Sequence, residues 1–220
     1  MKPIQIGKII NKMQEARKVS LPTAVESFIS LNKKRDPFKV LISTIISLRT
    51  KDEVTYKASK NLFKLASTPE TIASLSTNKI EKAIFPCGFY KRKAKTIKDI
   101  STKLIADYAS ITPDTIDELL KFKGVGRKTA NLVLTLGFNK PAFCVDTHVH
   151  RIFNRIGYVK TDKPDDTEFA LRAKLPKKYW IPINSLLVFY GQSICRPVSP
   201  LCSKCTIENL CMRNGVSKNR

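Results

Sequence analysis

The stretch from Lys121 to Arg151, KFKGVGRKTANLVLTLGFNKPAFCVDTHVHR, gathers the groups best able to do chemistry. It holds a Gly-x-Gly turn, a lysine two residues after it, and an aspartate eighteen positions further on. Gly124 and Gly126 allow backbone angles that side chains forbid. A Gly-Val-Gly turn through Val125 can therefore aim several N–H groups at one point. A helix predicted to start at Arg127 adds its unpaired N–H groups and the positive end of its dipole. The result is a phosphate site built of backbone and flanked by Lys121, Lys123 and Arg127. Lys128 falls in the first turn of that helix. The positive helix end and the nearby cations disfavour a further proton, so the sequence predicts a neutral, nucleophilic amine. Asp146 directly precedes Thr147 and His148, at the N-terminus of a further helix, where N–H groups would hold a carboxylate ionised.

A second constellation lies at the C-terminal end. Four of the six cysteines follow the pattern Cys195-x6-Cys202-x2-Cys205-x5-Cys211. Four clustered thiolates point to a metal rather than to disulfides in a reducing compartment. Structural zinc usually takes two Cys-x2-Cys knuckles, and only one is present. Four-thiolate iron–sulfur ligation fits at least as well on chemistry alone. Cys87 and Cys144 have apolar neighbours and read as packed thiols.

Composition narrows the partners. The 220 residues carry 40 Lys+Arg against 18 Asp+Glu, a formal net charge of +22, with 42% apolar residues to form a core. Charge this one-sided suits nucleic acid better than small molecules. No run of about 18 apolar residues, lipidation motif or signal-peptide core is present. An intracellular protein of the cytoplasm or nucleoid, working as a monomer off the membrane, is expected. Asp-Thr-His invites a triad or metal reading, but the chain has only two histidines. His148 is expected to be a helix or DNA-contact residue rather than a general base.

The positioning elements are helices throughout, because apolar residues recur at helical spacing and strand alternation is absent. Residues 4–18 and 22–33 read as two helices. Asp36-Pro37 starts a third with an Asp cap and Pro at the first position. That helix, FKVLISTIISL, is apolar nearly all round and should be the buried centre. Further helices are predicted over 52–64, 69–75, 78–85, 90–107 and 114–121. After Asp146 they follow over 147–156, 165–173 and 182–194. The segment GFYKRKAK echoes GVGRKTA, as a second glycine turn feeding a basic helix.

The pieces GVGRKTAN, then Gly137, Pro141 and Asp146, then VDTHVHR resemble the helix-hairpin-helix DNA glycosylases with a Gly/Pro–Asp loop, and within them the endonuclease III family. The resemblance covers essentially the whole chain. Lys123 departs from it by standing where the family usually has proline, and His150 where an aromatic is common. The resemblance implies an all-α fold of two helical domains with a cleft between them. Residues 31–140 would form a six-helix domain with the hairpin, and residues 1–30 and 141–220 a discontinuous cluster domain. It also implies a [4Fe–4S] cluster on Cys195, Cys202, Cys205 and Cys211, whose negative charge Arg196, Lys204 and Arg213 would partly offset.

The implied activity is that of a bifunctional glycosylase and abasic-site lyase acting on double-stranded DNA. It would remove oxidised pyrimidines and cleave 3′ of the abasic site by β-elimination. Lys128 would attack the sugar C1′ with support from Asp146, on a nucleotide flipped out of the duplex. Arg49 stands where bacterial relatives commonly have the glutamine that plugs the gap, and Phe89 matches the wedge. Asp52 would contact the flipped base. The hairpin turn, residues 122–127, would grip backbone without reading sequence. Three rivals are a monofunctional mismatch glycosylase, a non-catalytic iron–sulfur DNA-binding protein, and a zinc-stapled RNA-binding protein. Lys128 argues against the first, because relatives without lyase activity generally lack that amine.

Overall fold

The computed structural model of the chain describes residues 5–17 and 35–220. The helix expected over 22–33 and the domain boundary expected at 30–31 lie outside these residues. The described residues are helical, with no strand among them, as the periodicity implied. They fall into two compact units, one within Met1–Leu21 and Phe143–Arg220, the other within Pro22–Ala142.

The unit within Pro22–Ala142 is built on α2, Pro37–Ser47. α1, Ile6–Arg17, belongs to the other unit. The Asp36 carboxylate caps α2, accepting from the Lys39 N–H at 3.0 Å, and Pro37 takes the first turn, where no N–H is needed. Phe38 and every residue from Val40 to Ile46 are buried. This is the all-round apolar helix that the sequence placed at the centre. Around it run α3, Asp52–Leu65; α4, Pro69–Ser74; α5, Thr77–Ile84; α6, Tyr90–Tyr108; α7, Ile116–Leu120; and α8, Arg127–Leu132. α3, α6 and α8 pack directly on α2.

Caps fix several ends. Thr68 and Thr71 form a reciprocal box at the start of α4. Ser76 caps α5, so that helix begins one residue before the expected Asn78. Thr115 caps α7, which confines it to Ile116–Leu120 rather than the expected 114–121. The helix after the glycine turn changes hand-hold partway: Val133–Gly137 winds as a π-helical turn, a widening that no residue pattern announced.

In the other unit α1 buries Ile9, Ile10 and Met13 and packs on α11, Trp180–Ser193. α9, Thr147–Arg155, packs on α11 and on α10, Pro164–Lys174. α11 starts two residues earlier than the sequence suggested. Pro182 therefore sits in its first turn, where proline forfeits no helical bond. No described helix is long and apolar enough to cross a membrane.

Candidate active site

The glycine turn leads into α8 as expected, but its two glycines differ. Gly124 has φ +87°, a left-handed conformation that suits a residue without Cβ. Gly126 has φ −98° and ψ 176°, an ordinary extended backbone, so the expectation that it too needs a forbidden angle is corrected. Gly126 instead stands at the N-cap of α8, where no side chain caps the helix. Val125 is buried and anchors the turn, and its N–H is bonded to the Phe122 carbonyl at 3.0 Å.

The cations around the turn are not equivalent. Lys123 and Lys128 are exposed and Arg127 is half-buried. Lys121 is ion-paired with Glu118 at 2.6 Å, and Glu118 also accepts from the Tyr108 hydroxyl at 2.8 Å. Lys121 therefore shares its charge with a neighbour, and the Glu118 pairing holds its pKa above the usual lysine range.

Lys128 lines a pocket of about 520 Å³ together with Gly124, Arg49, Phe89, Arg92, Lys93, Thr96 and, from the end of α2 and the residue after it, Ile45, Ser47 and Leu48. The structure thus brings together Lys128, Gly124, Arg49 and Phe89, which lie up to 79 residues apart in the chain. Arg49 and Phe89 are both non-glycine residues with positive φ, 53° and 57°. The Arg49 guanidinium lies 5.7 Å from the centre of the Phe89 ring, within range of a cation–π contact. Phe89 is 62% exposed, which is unusual for a ring of that size. Asp52, in the first turn of α3, is exposed and is not among the residues lining the pocket.

Arg92, Lys93 and Thr96 are lining residues that the sequence reading left unassigned. Their signal was their spacing: with Phe89 they fall at i, i+3, i+4 and i+7, one face of α6. Lys93 is only 6% exposed. Its burial lowers its pKa from the usual lysine value.

In the other unit Asp146 is 7% exposed and caps α9. Its Oδ1 accepts from the N–H groups of His148 and Val149, both at 2.9 Å. His148 is half-buried, and its Nδ1 lies 3.1 Å from Nη2 of Arg151. Arginine can only donate, so Nδ1 accepts and the ring proton sits on Nε2. Arg151 also donates to the carbonyls of Gly191 and Cys195. A network therefore runs from the turn after Asp146 to the first cysteine.

The four clustered cysteines line one cavity, beneath the apolar side chains of Met13, Ile152 and Ile207. Among the described residues, no three His, Cys, Asp or Glu side chains are gathered closely enough to hold a single metal ion. Arg155 of α9 is buried and donates to Cys195 Sγ at 3.3 Å and to the carbonyls of Arg196 and Pro197, both at 2.7 Å. The backbone N–H of Arg213 donates to Cys211 Sγ at 3.4 Å, while its guanidinium pairs with Glu208 at 2.7 Å. Arg155, which the sequence reading did not single out, thus donates to a cysteine sulfur. Burial pushes the Cys205 thiol up to about 11, with the other three cysteines adding to it, and burial also raises Cys211. Positive charge placed among these sulfurs would reverse that, since a coordinating thiol gives up its proton. Cys87 and Cys144 are buried, 2% and 1% exposed, as packed thiols should be.

Comparison with known proteins fits this arrangement. Residues 42–177 match the HhH-GPD superfamily of base excision DNA repair proteins. The chain is 50% identical over 187 residues to endonuclease III of Thermotoga maritima, covering 85% of this chain and 88% of that protein. It is 42% identical over 194 residues to the chloroplastic endonuclease III homolog 2 of Arabidopsis thaliana, covering 84% of this chain but only 50% of that longer protein. A trapped endonuclease III–DNA covalent intermediate superposes with a TM-score of 0.83 at 31% identity, over 95% of both chains. With the family match spanning more than half of the chain and a relative at 50% identity covering 85% of it, the chain belongs to the endonuclease III family of the HhH-GPD superfamily.

Proposed function

We propose that this protein is a base excision repair enzyme, a DNA glycosylase and abasic-site lyase that takes oxidised pyrimidines from duplex DNA. The observation that carries this reading is the position of Lys128. Its side chain lies at the start of α8, directly after a left-handed glycine turn, on a pocket whose lip carries Arg49 and Phe89. An amine there can reach a sugar only after its nucleotide has left the stack, and two side chains stand ready to fill the gap.

The steps follow from the groups. The hairpin turn, residues 122–127, binds phosphate through backbone N–H groups, with Lys123 and Arg127 adding charge. Arg49 and Phe89 enter the stack as the lesion swings out. The Lys128 amine attacks C1′ and forms an N–C1′ bond as the glycosidic bond breaks and the base departs with its electron pair. Asp146 supports the positive charge that develops on the sugar. Ring opening leaves a Schiff base, which acidifies the C2′ proton and lets the 3′ phosphate leave by β-elimination. The covalent intermediate trapped between the related endonuclease III and DNA supports a covalent mechanism.

The cysteine cavity suits a [4Fe–4S] cluster held by Cys195, Cys202, Cys205 and Cys211. Bound there, the cluster supplies four covalent ties that fix the C-terminal loop to α11. The roles of the residues and the identity of the cluster are tested together. Borohydride added during reaction on an oxidised-pyrimidine duplex should trap the wild type on DNA and leave Lys128→Ala free. An adduct formed by Lys128→Ala would move the nucleophile elsewhere. Absorbance near 400 nm and iron content would decide between iron and zinc.

A further inference from the structure

Lys93 sits in the pocket that holds Lys128, yet the reaction above makes no use of it. It is a lysine of a very basic helix, and such residues normally extend into water. Here the side chain turns inward and is 6% exposed. Its Nζ donates to the Ile46 carbonyl at 2.6 Å and to Thr50 Oγ1 at 2.7 Å. Both partners are neutral oxygens, so burial is offset by hydrogen bonds. These two oxygens bracket one turn. Ile46 lies in the last turn of α2, Thr50 precedes α3, and Arg49 stands between them with φ 53°.

Lys93 itself is in the first turn of α6, whose N-cap is Phe89 with φ 57°. The two turns also touch directly at Gly88. A Cβ built there would come 2.7 Å from the Arg49 carbonyl oxygen, a distance that only glycine tolerates. Three contacts thus join the turns: the Lys93 amine beneath, the Gly88 approach in the middle, and the Arg49–Phe89 stack at the tip. A left-handed non-glycine residue is strained and persists only where its surroundings hold it. Two such residues side by side need a clamp, and the lysine supplies one.

We propose that Lys93 is a positioning residue, which clamps the Arg49 turn to the Phe89 turn so that the two side chains enter DNA as one rigid blade. The proposal rests on the reading that Arg49 and Phe89 fill the space left by the flipped nucleotide. It adds the group that sets their geometry.

The test is a double-mutant cycle between Lys93→Met and Arg49→Ala, read as single-turnover excision of an oxidised pyrimidine from duplex DNA. Lys93→Met alone should lower the rate about tenfold to a hundredfold, the cost of a blade displaced by an ångström or so. In the Arg49→Ala background the same change should cost less by a factor of about three or more, because one of the two side chains it positions is gone. Strand cleavage at a preformed abasic site, where flipping is cheap, should fall by less than about threefold in Lys93→Met. Equal losses in both backgrounds, or equal losses on both substrates, would overturn the proposal.

A second readout is independent of catalysis. Binding to a duplex with a tetrahydrofuran abasic analogue opposite 2-aminopurine should raise fluorescence in the wild type, and Lys93→Met should lose most of the rise. A full rise in Lys93→Met would also overturn the clamp. Absence of excision by the wild type would instead sink the glycosylase reading, leaving the fluorescence arm to decide on Lys93. Should circular dichroism find Lys93→Met unfolded, Thr50→Val removes the other end of the same bond. It should move both readouts the same way by a smaller factor, and unchanged readouts would count against the clamp.

Discussion

Substituting Asp146 by asparagine and by alanine separates two things one carboxylate can do. Its Oδ1 accepts from the N–H groups of His148 and Val149, both at 2.9 Å, in a site 7% exposed. Asparagine offers a carbonyl oxygen at the same place and is as good an N-cap as aspartate. Asp146→Asn therefore keeps both bonds and loses the charge at the helix end, worth about 0.3–1 kcal/mol. Asp146→Ala leaves two N–H groups without their acceptor and should cost about 1–2 kcal/mol. For a chain of this size a kcal/mol moves the melting temperature by roughly 2–4 °C. The melt should fall by roughly 1–4 °C for asparagine and roughly 2–8 °C for alanine. Base excision responds in a different order. If the carboxylate supports positive charge on the sugar, both variants should lose roughly 10²–10³-fold in single-turnover rate. The paired assay is calorimetry or a thermal melt beside excision from an oxidised-pyrimidine duplex. Wild-type excision by Asp146→Asn would reduce Asp146 to a helix cap and refute the assigned role.

Two further substitutions probe the scaffold. Arg155→Met removes charge-assisted hydrogen bonds to the Arg196 and Pro197 carbonyls and to Cys195 Sγ. At about 1.5–3 kcal/mol for such a bond, less the relief of desolvating a cation, the net loss should be about 2–4 kcal/mol, with iron lost faster on mild heating. A melt and a 400 nm time course check it, and an unchanged rate of bleaching would show that Arg155 does not hold the loop. Gly88→Ala puts a Cβ at 2.7 Å from the Arg49 carbonyl oxygen, so one of the two turns must move. The overpacking should cost about 1–3 kcal/mol. Excision should fall more than cleavage of abasic DNA, and a wild-type ratio of the two rates would argue against a blade built from both turns.

Much of this architecture could be read from the sequence because local chemistry announced it. Asp36-Pro37 and Thr68-Pro69 are cap-and-proline pairs, and each begins a helix where expected. Cysteine spacing located the C-terminal cavity, and the Gly-Val-Gly turn located the start of α8. What the sequence concealed depends on partners far away in the chain. Lys93 reads as one more cation of a basic helix, and its burial is decided by oxygens 47 and 43 residues earlier. Arg155 reads as the last-turn cation of α9, and only folding brings the carbonyls of residues 196 and 197 to it. Lys121 reads as a phosphate-flanking cation, and nothing local announced the Tyr108 hydroxyl that shares its Glu118 partner. The π-helical turn at Val133–Gly137 has no compositional signature at all, since it is a shift in bonding within an apolar run.

Folding by itself gives no reason for what collects on the lip of the Lys128 pocket. A compact basic protein gains nothing from an exposed phenylalanine, two left-handed side-chain-bearing residues and a lysine taken out of water, and each lowers its stability. The same features become intelligible if the lip must displace a base. A ring that is to stack between bases must face solvent beforehand, since burying it would add a rearrangement to every turnover. An arginine that is to occupy the gap must be aimed, and a cation–π contact with that ring aims it without adding a negative group that DNA would repel. The clamp beneath obeys the same constraint. An acid facing Lys93 would satisfy it more strongly, but would set a carboxylate within the field that binds phosphate. Neutral oxygens hold the amine and leave the surface positive, in keeping with a chain that carries +22 overall.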